Sequence, residues 1–337
     1  MNERIELFHG SGAKKSHQLI HDIFYQAFAN PYLASGADGV ILPICQRPLV
    51  MATDAFVVSP IFFPGGNLGK LAICGPLNDL TAMGARALYL SATFILEEGL
   101  KIETLKQVVN SMGETASLAG VPIVAGDTKV VEKNKCDEIF ISVSAVGCLE
   151  TECSPHPRHL RPGLKIIITG NLGDHGATVL ATRKDLSFEG ELKSDCANLQ
   201  PLILPLISDF NSVACMRDPT RGGLVGTLHE LMLECHESQI GFRIYEELIP
   251  VSSPVQGLCE ILGLDPLLLA NEGKMLVFCP AQDADAILQT LKQHPLGQQA
   301  QVIGEVTNRF GQVEMQTLYG GERLLIWPEG DALPRIC

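Results

Sequence analysis

Hydrophobic positions along the chain switch between a period of two, short continuous apolar runs and a period near 3.6, and each switch predicts an element. From Leu49, LVMATDAFVV predicts a strand that carries Thr53 and Asp54. FFPGGNLGK predicts a glycine-rich loop. LAICGPLNDLTAMGA, with small residues at helical spacing, predicts a tightly packed helix that carries Asp79, and LYLSATFIL a buried strand. The clearest helical stripe is Ile102, Leu105, Val108, Met112 and Ala116, with Gly120 as its stop signal. VPIVA predicts a strand running into a turn at GDTK, and IFISVSAVGCL predicts another strand.

The proline-rich TECSPHPRHLRPG predicts a domain boundary. Beyond it, strand, glycine-bearing loop and helix recur twice: LKIIITG, NLGDHG and ATVLAT, then VACM, RDPTRGG and LVGTLHELMLEC. VEMQTLYGGERLLIW predicts a hairpin turning at Gly320–Gly321, and PEGDALPRIC, with no period, a tail. Alternating strands and helices place the chain in the α/β class, with α+β layers. Its 337 residues exceed what one core usually serves. The expected organisation is a first domain over 1–153, a second over 154–326 and a flexible tail over 327–337.

Composition narrows the function classes. No apolar run is long enough to span a bilayer, and MNERIELFHGSGAKK does not read as a signal peptide, so a cytoplasmic protein with no membrane role is expected. The 11 Cys are odd in number and sit in apolar segments such as LAICGPL and LVFCPA, which predicts reduced, buried thiols. A net charge of −13 argues against a nucleic-acid partner. It also means that any polyphosphate ligand needs divalent cations or aimed backbone N–H groups to offset repulsion.

Aspartates at element junctions meet that need: Asp54, Asp79 and Asp127. Hard carboxylates of this kind suit Mg2+, which keeps waters and bridges to phosphates. Taken singly, each is better read as a cap or a solvated charge, though this sits less well with Asp54 and Asp79, whose neighbours look buried. LGDHG and DPTRGG could present backbone N–H groups to an anion, but match neither the dinucleotide fingerprint nor the Walker loop. Cys153, His156 and His159, with Cys148, have a spacing that could hold zinc, although an interdomain linker is the favoured reading. Lys129 and Glu272 read as surface charges by residue type. The terminal thiol of Cys337 is not a prenylation signal, which needs three residues after the cysteine. It reads as a thiol on a flexible arm or as the chance end of a frayed tail.

Taken together, TDAFVVSPIFFPGGNLGKLAICGPLNDLTAMGA, ILEEG, VAGDTKVV, GDHGAT, RDPTRGGL, ANEGK and the ending PRIC resemble the HypE family of hydrogenase maturation factors. That family lies in the ATP-using superfamily of aminoimidazole ribonucleotide synthetase, selenophosphate synthetase and thiamine-monophosphate kinase. One departure is the N-terminal loop Gly10-Ser11-Gly12-Ala13, where the family usually has two glycines after the serine. The resemblance implies a two-domain aminoimidazole ribonucleotide synthetase-like fold and a homodimer with a β-barrel core. It implies ATP contacts from Thr53, Asp54, Lys70, Asn78, Asp79, Gly126, Asp127, Thr128 and Asp218, with Mg2+ on Asp54, Asp79 and Asp127.

A reaction is implied as well. The carbamoyltransferase HypF loads Cys337, the chain dehydrates the thiocarbamate to a thiocyanate with ATP, and a HypC–HypD complex accepts the cyanide for the iron of a [NiFe]-hydrogenase. Lys129 and Glu272 fall on the family's proton-handling positions. A lysine in that role needs desolvation or a nearby cation. The residues alone leave open a small-molecule phosphotransferase, which has no use for Cys337, and a metal-handling scaffold, which would not hydrolyse ATP.

Overall fold

The computed structural model describes residues 4–11, 14–33, 39–43, 45–152, 154–184, 186, 191–235, 240–330 and 336. The chain opens with α1 (Lys14–Leu19) and a π-helical turn over Ile20–Tyr25. Next come β1 (Leu49–Phe56) and the small hairpin β2 (Phe62–Phe63) and β3 (Gly66–Asn67), where a plain loop is expected. Asn67 then caps α2 (Leu68–Ala82) by accepting from the Lys70 N–H at 3.0 Å. After β4 (Ala85–Glu97) comes α3 (Ile102–Ala119), whose buried stripe Leu105, Val108, Met112 and Ala116 follows the sequence period. Gly120 ends it at φ 69°, a left-handed position suited to glycine.

β5 (Ile123–Val131) and β6 (Ile139–Leu149) complete a four-stranded sheet in the order β1-β6-β4-β5, antiparallel except for the β4–β5 pair. β5 corrects the expected turn at GDTK. The strand runs through Gly126–Lys129 because these residues keep pairing with β4, so Asp127 lies in mid-strand. α2 lies across one face of the sheet and α3 packs on α2. Only glycine permits that approach at Gly69, where a Cβ would lie 2.2 Å from the Val108 carbonyl oxygen. The other face is open: Leu49 is 61% and Met51 69% exposed.

The second domain begins with β7 (Leu164–Ile168), then α4 (Asp174–Arg183), α5 (Gln200–Asp209), β8 (Cys215–Arg217) and α6 (Gly223–Glu234). β9 (Gly241–Tyr245), α7 (Ser253–Leu262), β10 (Leu276–Pro280), α8 (Ala284–Lys292) and β11 (Gln301–Thr307) follow. The expected hairpin is β12 (Val313–Gln316) with β13 (Glu322–Leu324), and Gly320 takes φ 80° in its turn. The seven-stranded order is β13-β12-β9-β11-β7-β10-β8. The continuous run LKIII is buried on both sides: Ile166 and Ile168 pack with α6, Ile167 with α5 and α8. The chain is thus a two-domain α/β protein. Among the described residues, no helix is long and apolar enough to cross a membrane.

Among the described residues, cysteine usage departs from expectation at one pair and at Cys136, which is free but only half-buried. Cys74, Cys196, Cys215, Cys235, Cys259 and Cys279 are free and buried, but Cys45 and Cys148 form a disulfide. The reason is register. Leu49 pairs with Cys148, which brings the segment before β1 alongside the end of β6, with the two Cα atoms 6.8 Å apart.

Candidate functional site

Helix α2 presents two adjoining faces, each built from residues four apart. Lys70, Cys74 and Asn78 face the second domain. Asn78 donates from Nδ2 to the Ala197 carbonyl at 3.0 Å and accepts at Oδ1 from the Leu199 N–H at 2.9 Å. Cys74 hydrogen-bonds Cys196, and the Lys70 charge lies near the same thiol. Gly75 and Asp79 lie on the neighbouring face. A Cβ on Gly75 would stand 3.1 Å from Asp54 Oδ2, so the glycine makes room for that carboxylate.

Asp54, Asp79 and Asp218 are close enough to act on one another's ionisation. Burial first, then repulsion from Asp218 and Asp54, pushes Asp79 up to about 8. Burial pushes Asp218 up to about 6, with Asp54 adding to the rise, and burial also raises Asp54. Arg217, also paired with Glu234, offsets this charge only in part. A half-buried pocket of mutually repelling carboxylates suits a divalent cation, which would restore their charged forms. Among the described residues, no three acids, cysteines or histidines already stand at the spacing of a closed cage.

Asp127 is not in this cluster, which corrects the expected trio within one protomer. Cross-strand pairing puts Asp54, Val143, Ala92 and Gly126 in one row on the α2 side of the sheet. Asp127 belongs to the next row, with Thr93, Ser142 and Ala55, and so points to the open face. Three interstrand steps also separate the outer strands, about 14 Å, whereas Mg2+ binds oxygen at about 2.1 Å. Thr53 shares the open face, where its Oγ1 meets Ser144 Oγ at 2.9 Å. Gly126, Asp127 and Thr128 line a cavity of about 220 Å3 beside Phe24, Phe28 and Tyr32.

Lys129 lies on the same open face, exposed and paired with Asp127 at 3.2 Å. Glu272 is instead 4% exposed on the loop before β10, on the α2 side. The two expected proton-handling residues therefore do not face each other in one protomer. Glu272 is fixed through its backbone, whose N–H donates to Asp195 Oδ1 at 3.0 Å. Asp195 Oδ2 accepts from the Gly273 N–H at 3.2 Å and pairs with Lys274 Nζ at 3.4 Å, both side chains almost fully buried. Asn271, also buried, accepts from the Gly173 N–H at 2.7 Å and donates to the Pro219 carbonyl at 2.9 Å. It ties the ANEGK segment to the GDHG and DPT loops.

The tail is anchored at both described ends. At its root the Trp327 ring stacks on His229 with centroids 5.4 Å apart, and His229 Nε2 bonds the Leu325 carbonyl at 2.8 Å. Cys337 lies outside the described residues, as do Arg335 and Cys153. Ile336 is described, and it corrects the expectation of a free tip. Its side chain is buried in the cluster where the first-domain core meets α4 and α7, and its carbonyl sits 2.7 Å from His175 Nε2. His175 and Ser194 have no signal in the sequence beyond the histidine of GDHG. The zinc reading also falls: Cys148 is in the disulfide, and His156 Nδ1 accepts from the Arg158 N–H. Gly12 and Ala13 of the N-terminal loop are outside the described residues.

Known proteins share this fold. The AIR synthase related protein N-terminal domain family matches residues 36–149 and its C-terminal domain family residues 161–315. Carbamoyl dehydratase HypE of Azotobacter vinelandii is 44% identical over 100% of this chain and 98% of its own length. A crystal structure of hydrogenase maturation protein HypE in complex with ATP superposes with a TM-score of 0.94 at 44% identity, covering 98% of this chain and 99% of that one. HypE from a HypE–HypF complex gives 0.80 at 42% identity, over 92% and 99%.

Proposed function

The chain belongs to the carbamoyl dehydratase HypE family of AIR synthase related proteins, and from that premise we propose that it dehydrates an S-carbamoyl group on its own Cys337. The product is a thiocyanate that supplies cyanide for [NiFe]-hydrogenase iron-site assembly. The observation that carries this reading is the docked tail: Ile336 is buried between the domains, on the side where Glu272 is fixed. A kinase for a free small molecule has no reason to bury its own C-terminus there.

The chemistry needs an activated oxygen and the loss of two N–H protons. The carbamoyl oxygen takes the γ-phosphoryl group of ATP, ADP departs, and loss of one N–H proton leaves an O-phosphorylated imidate. Loss of the second proton expels phosphate and closes the C≡N bond. Glu272, buried and held through its backbone by Asp195, would take a proton. Asp54 and Asp79, with Asp218 beside them, would hold Mg2+, which when bound neutralises phosphate charge. On one face of α2, Asn78 holds the 197–199 segment, and Lys70, whose Nζ donates to the Gly65 carbonyl at 3.0 Å, would meet the nucleotide.

Asp127 and Lys129 enter through a second copy. The open sheet has free edges at β1 and β5 and an exposed apolar face, which a two-fold partner would cover by closing the sheets into a barrel. In that homodimer Asp127 and Lys129, on the open face, would meet the partner, where desolvation can make Lys129 a base. HypF is the expected carbamoyl donor, supported by the solved complex of a relative with HypF, and a HypC–HypD complex is the expected cyanide acceptor. The test is the mass of the C-terminal peptide after incubation with HypF, its carbamoyl source and ATP. Loss of one water from the carbamoyl peptide, matched by one ADP, supports the reading; a carbamoyl peptide that persists while ATP is consumed overturns it.

A further inference from the structure

The tail tip is held by a polar relay that the dehydration chemistry does not itself use. His175, at the start of α4, is fully buried, with Phe63 of β2 edge-on to its ring at 5.4 Å. Its Nε2 is 2.7 Å from the Ile336 carbonyl and its Nδ1 2.8 Å from Ser194 Oγ. A carbonyl oxygen can only accept, so Nε2 carries the hydrogen and donates to Ile336. Nδ1 then accepts from the Ser194 hydroxyl, whose oxygen in turn accepts from the Cys196 N–H at 3.1 Å. Every donor in this relay has one acceptor, and the serine fixes the tautomer.

The same short loop serves the catalytic cleft. Ser194 orients His175; its neighbour Asp195 holds the backbone of Glu272 and Gly273; Cys196 meets Cys74 on α2. The loop is pinned to the first domain by the Ser194 N–H donating to the Pro64 carbonyl at 2.9 Å. Gly65, at φ 88°, leaves the necessary room, since a Cβ there would lie 2.6 Å from the Ser194 carbonyl oxygen. A displacement of residues 194–196 would therefore move the tail's holder and Glu272 together.

We propose that His175, oriented by Ser194, is the positioning residue that latches the Ile336 carbonyl and so holds the loaded terminal residue, one peptide unit further on, at the dehydration site. This rests on the dehydratase reading for its chemistry, but the latch itself is a conformational claim. A neutral hydrogen bond of this kind shifts an equilibrium by about tenfold when lost, so the ratio of free to docked tail should rise by about that factor without the latch.

The test uses the full-length dimer and four variants. His175→Gln keeps an amide donor near the position of Nε2, His175→Asn keeps one only near Nδ1, His175→Leu keeps neither, and Ser194→Ala removes the orienting hydroxyl. The first readout is the rate at which iodoacetamide alkylates Cys337, followed by the mass of the C-terminal peptide. The second is single-turnover dehydration of the carbamoylated protein at saturating ATP, with ATP affinity measured alongside. The latch predicts, in His175→Asn and Ser194→Ala, a rise in alkylation rate and a fall in dehydration rate whose factors multiply to about ten, with ATP affinity unchanged and His175→Gln near wild type. Wild-type rates in a folded Ser194→Ala protein, or a His175→Gln protein as impaired as His175→Leu, would overturn it. Alkylation needs no dehydration chemistry. If the wild type never forms thiocyanate yet alkylation responds as stated, the dehydratase reading fails and the latch stands.

Discussion

Replacing Asp195 by Ala should destabilise the protein more than any exposed substitution, because one carboxylate serves three buried donors. It accepts from the N–H groups of Glu272 and Gly273 and pairs with Lys274, whose side chain is 11% exposed against 2% for Asp195. Removing one partner of a buried pair leaves an uncompensated charge and costs about 3–5 kcal/mol. The two orphaned N–H groups fall within the same loss, since the loop relaxes once for all three. Unfolding entropy of about 2.1 cal/mol/K per residue, taken over 337 residues, is about 0.7 kcal/mol/K. A loss of about 4 kcal/mol therefore lowers Tm by about 6 °C.

Two further variants separate charge from shape. Asp195→Asn keeps one acceptor oxygen but turns an amide N–H2 toward Lys274 or Gly273, so it should lose about half as much. Adding Lys274→Met removes the stranded ammonium and should recover part of the loss, because deleting both members of a buried pair is milder than deleting one. Scanning calorimetry on wild type, these variants and the Lys274→Met single variant gives the comparison. A Tm within about 1 °C of wild type for Asp195→Ala, or a double variant that melts lower than the two single effects combined, would show that this pair is not what holds the loop.

Three other outcomes follow from the same structure. Asp174 is pushed up to about 6 by burial first and Asp195 next, so its neutral form favours the fold: that contribution is full below about pH 4 and lost as pH rises through about 6. Asp174→Asn keeps an acceptor for Ser252 and should match wild type at pH 4 yet exceed it by about 1–3 kcal/mol at pH 8, read from paired melts. If the proposed homodimer forms through this face, Met51→Asp on β1 should leave a monomer in light scattering where the wild type is a dimer, and abolish ATP turnover while circular dichroism is unchanged; a monomeric wild type or a fully active monomer would refute the shared site. Gly69→Ala drives a Cβ into the Val108 carbonyl and should cost about 1–3 kcal/mol by forcing α2 from α3, whereas Gly257→Ala, with open space around it, should be near neutral.

The parts of the site that local pattern could reveal were those whose role is set by local geometry. The stripe of α3 and its stop at Gly120 follow from a 3.6 period and a left-handed cap, and the hairpin of β12 and β13 from paired glycines. Asp127 was misplaced because GDTK has turn-like residues, and turn chemistry yields when a strand has a partner to pair with, here β4. Once the strand continues, strict alternation decides the rest: Gly126 shares a row with Asp54, so its neighbour Asp127 must point the other way. No spacing in the sequence carries that fact, because it depends on the register of four strands. The latch was hidden more deeply. His175, Ser194 and Ile336 are 19 and 161 residues apart by their bonds to the histidine, and Ser194 lies in a stretch with no period at all. A buried histidine between a hydroxyl and a carbonyl is also the commonest way to satisfy two ring nitrogens in a core. What separates this one from a merely satisfied core residue is its acceptor. A backbone carbonyl one residue before the reacting thiol belongs to the only part of the substrate that the protein carries with it, so holding that carbonyl is holding the substrate.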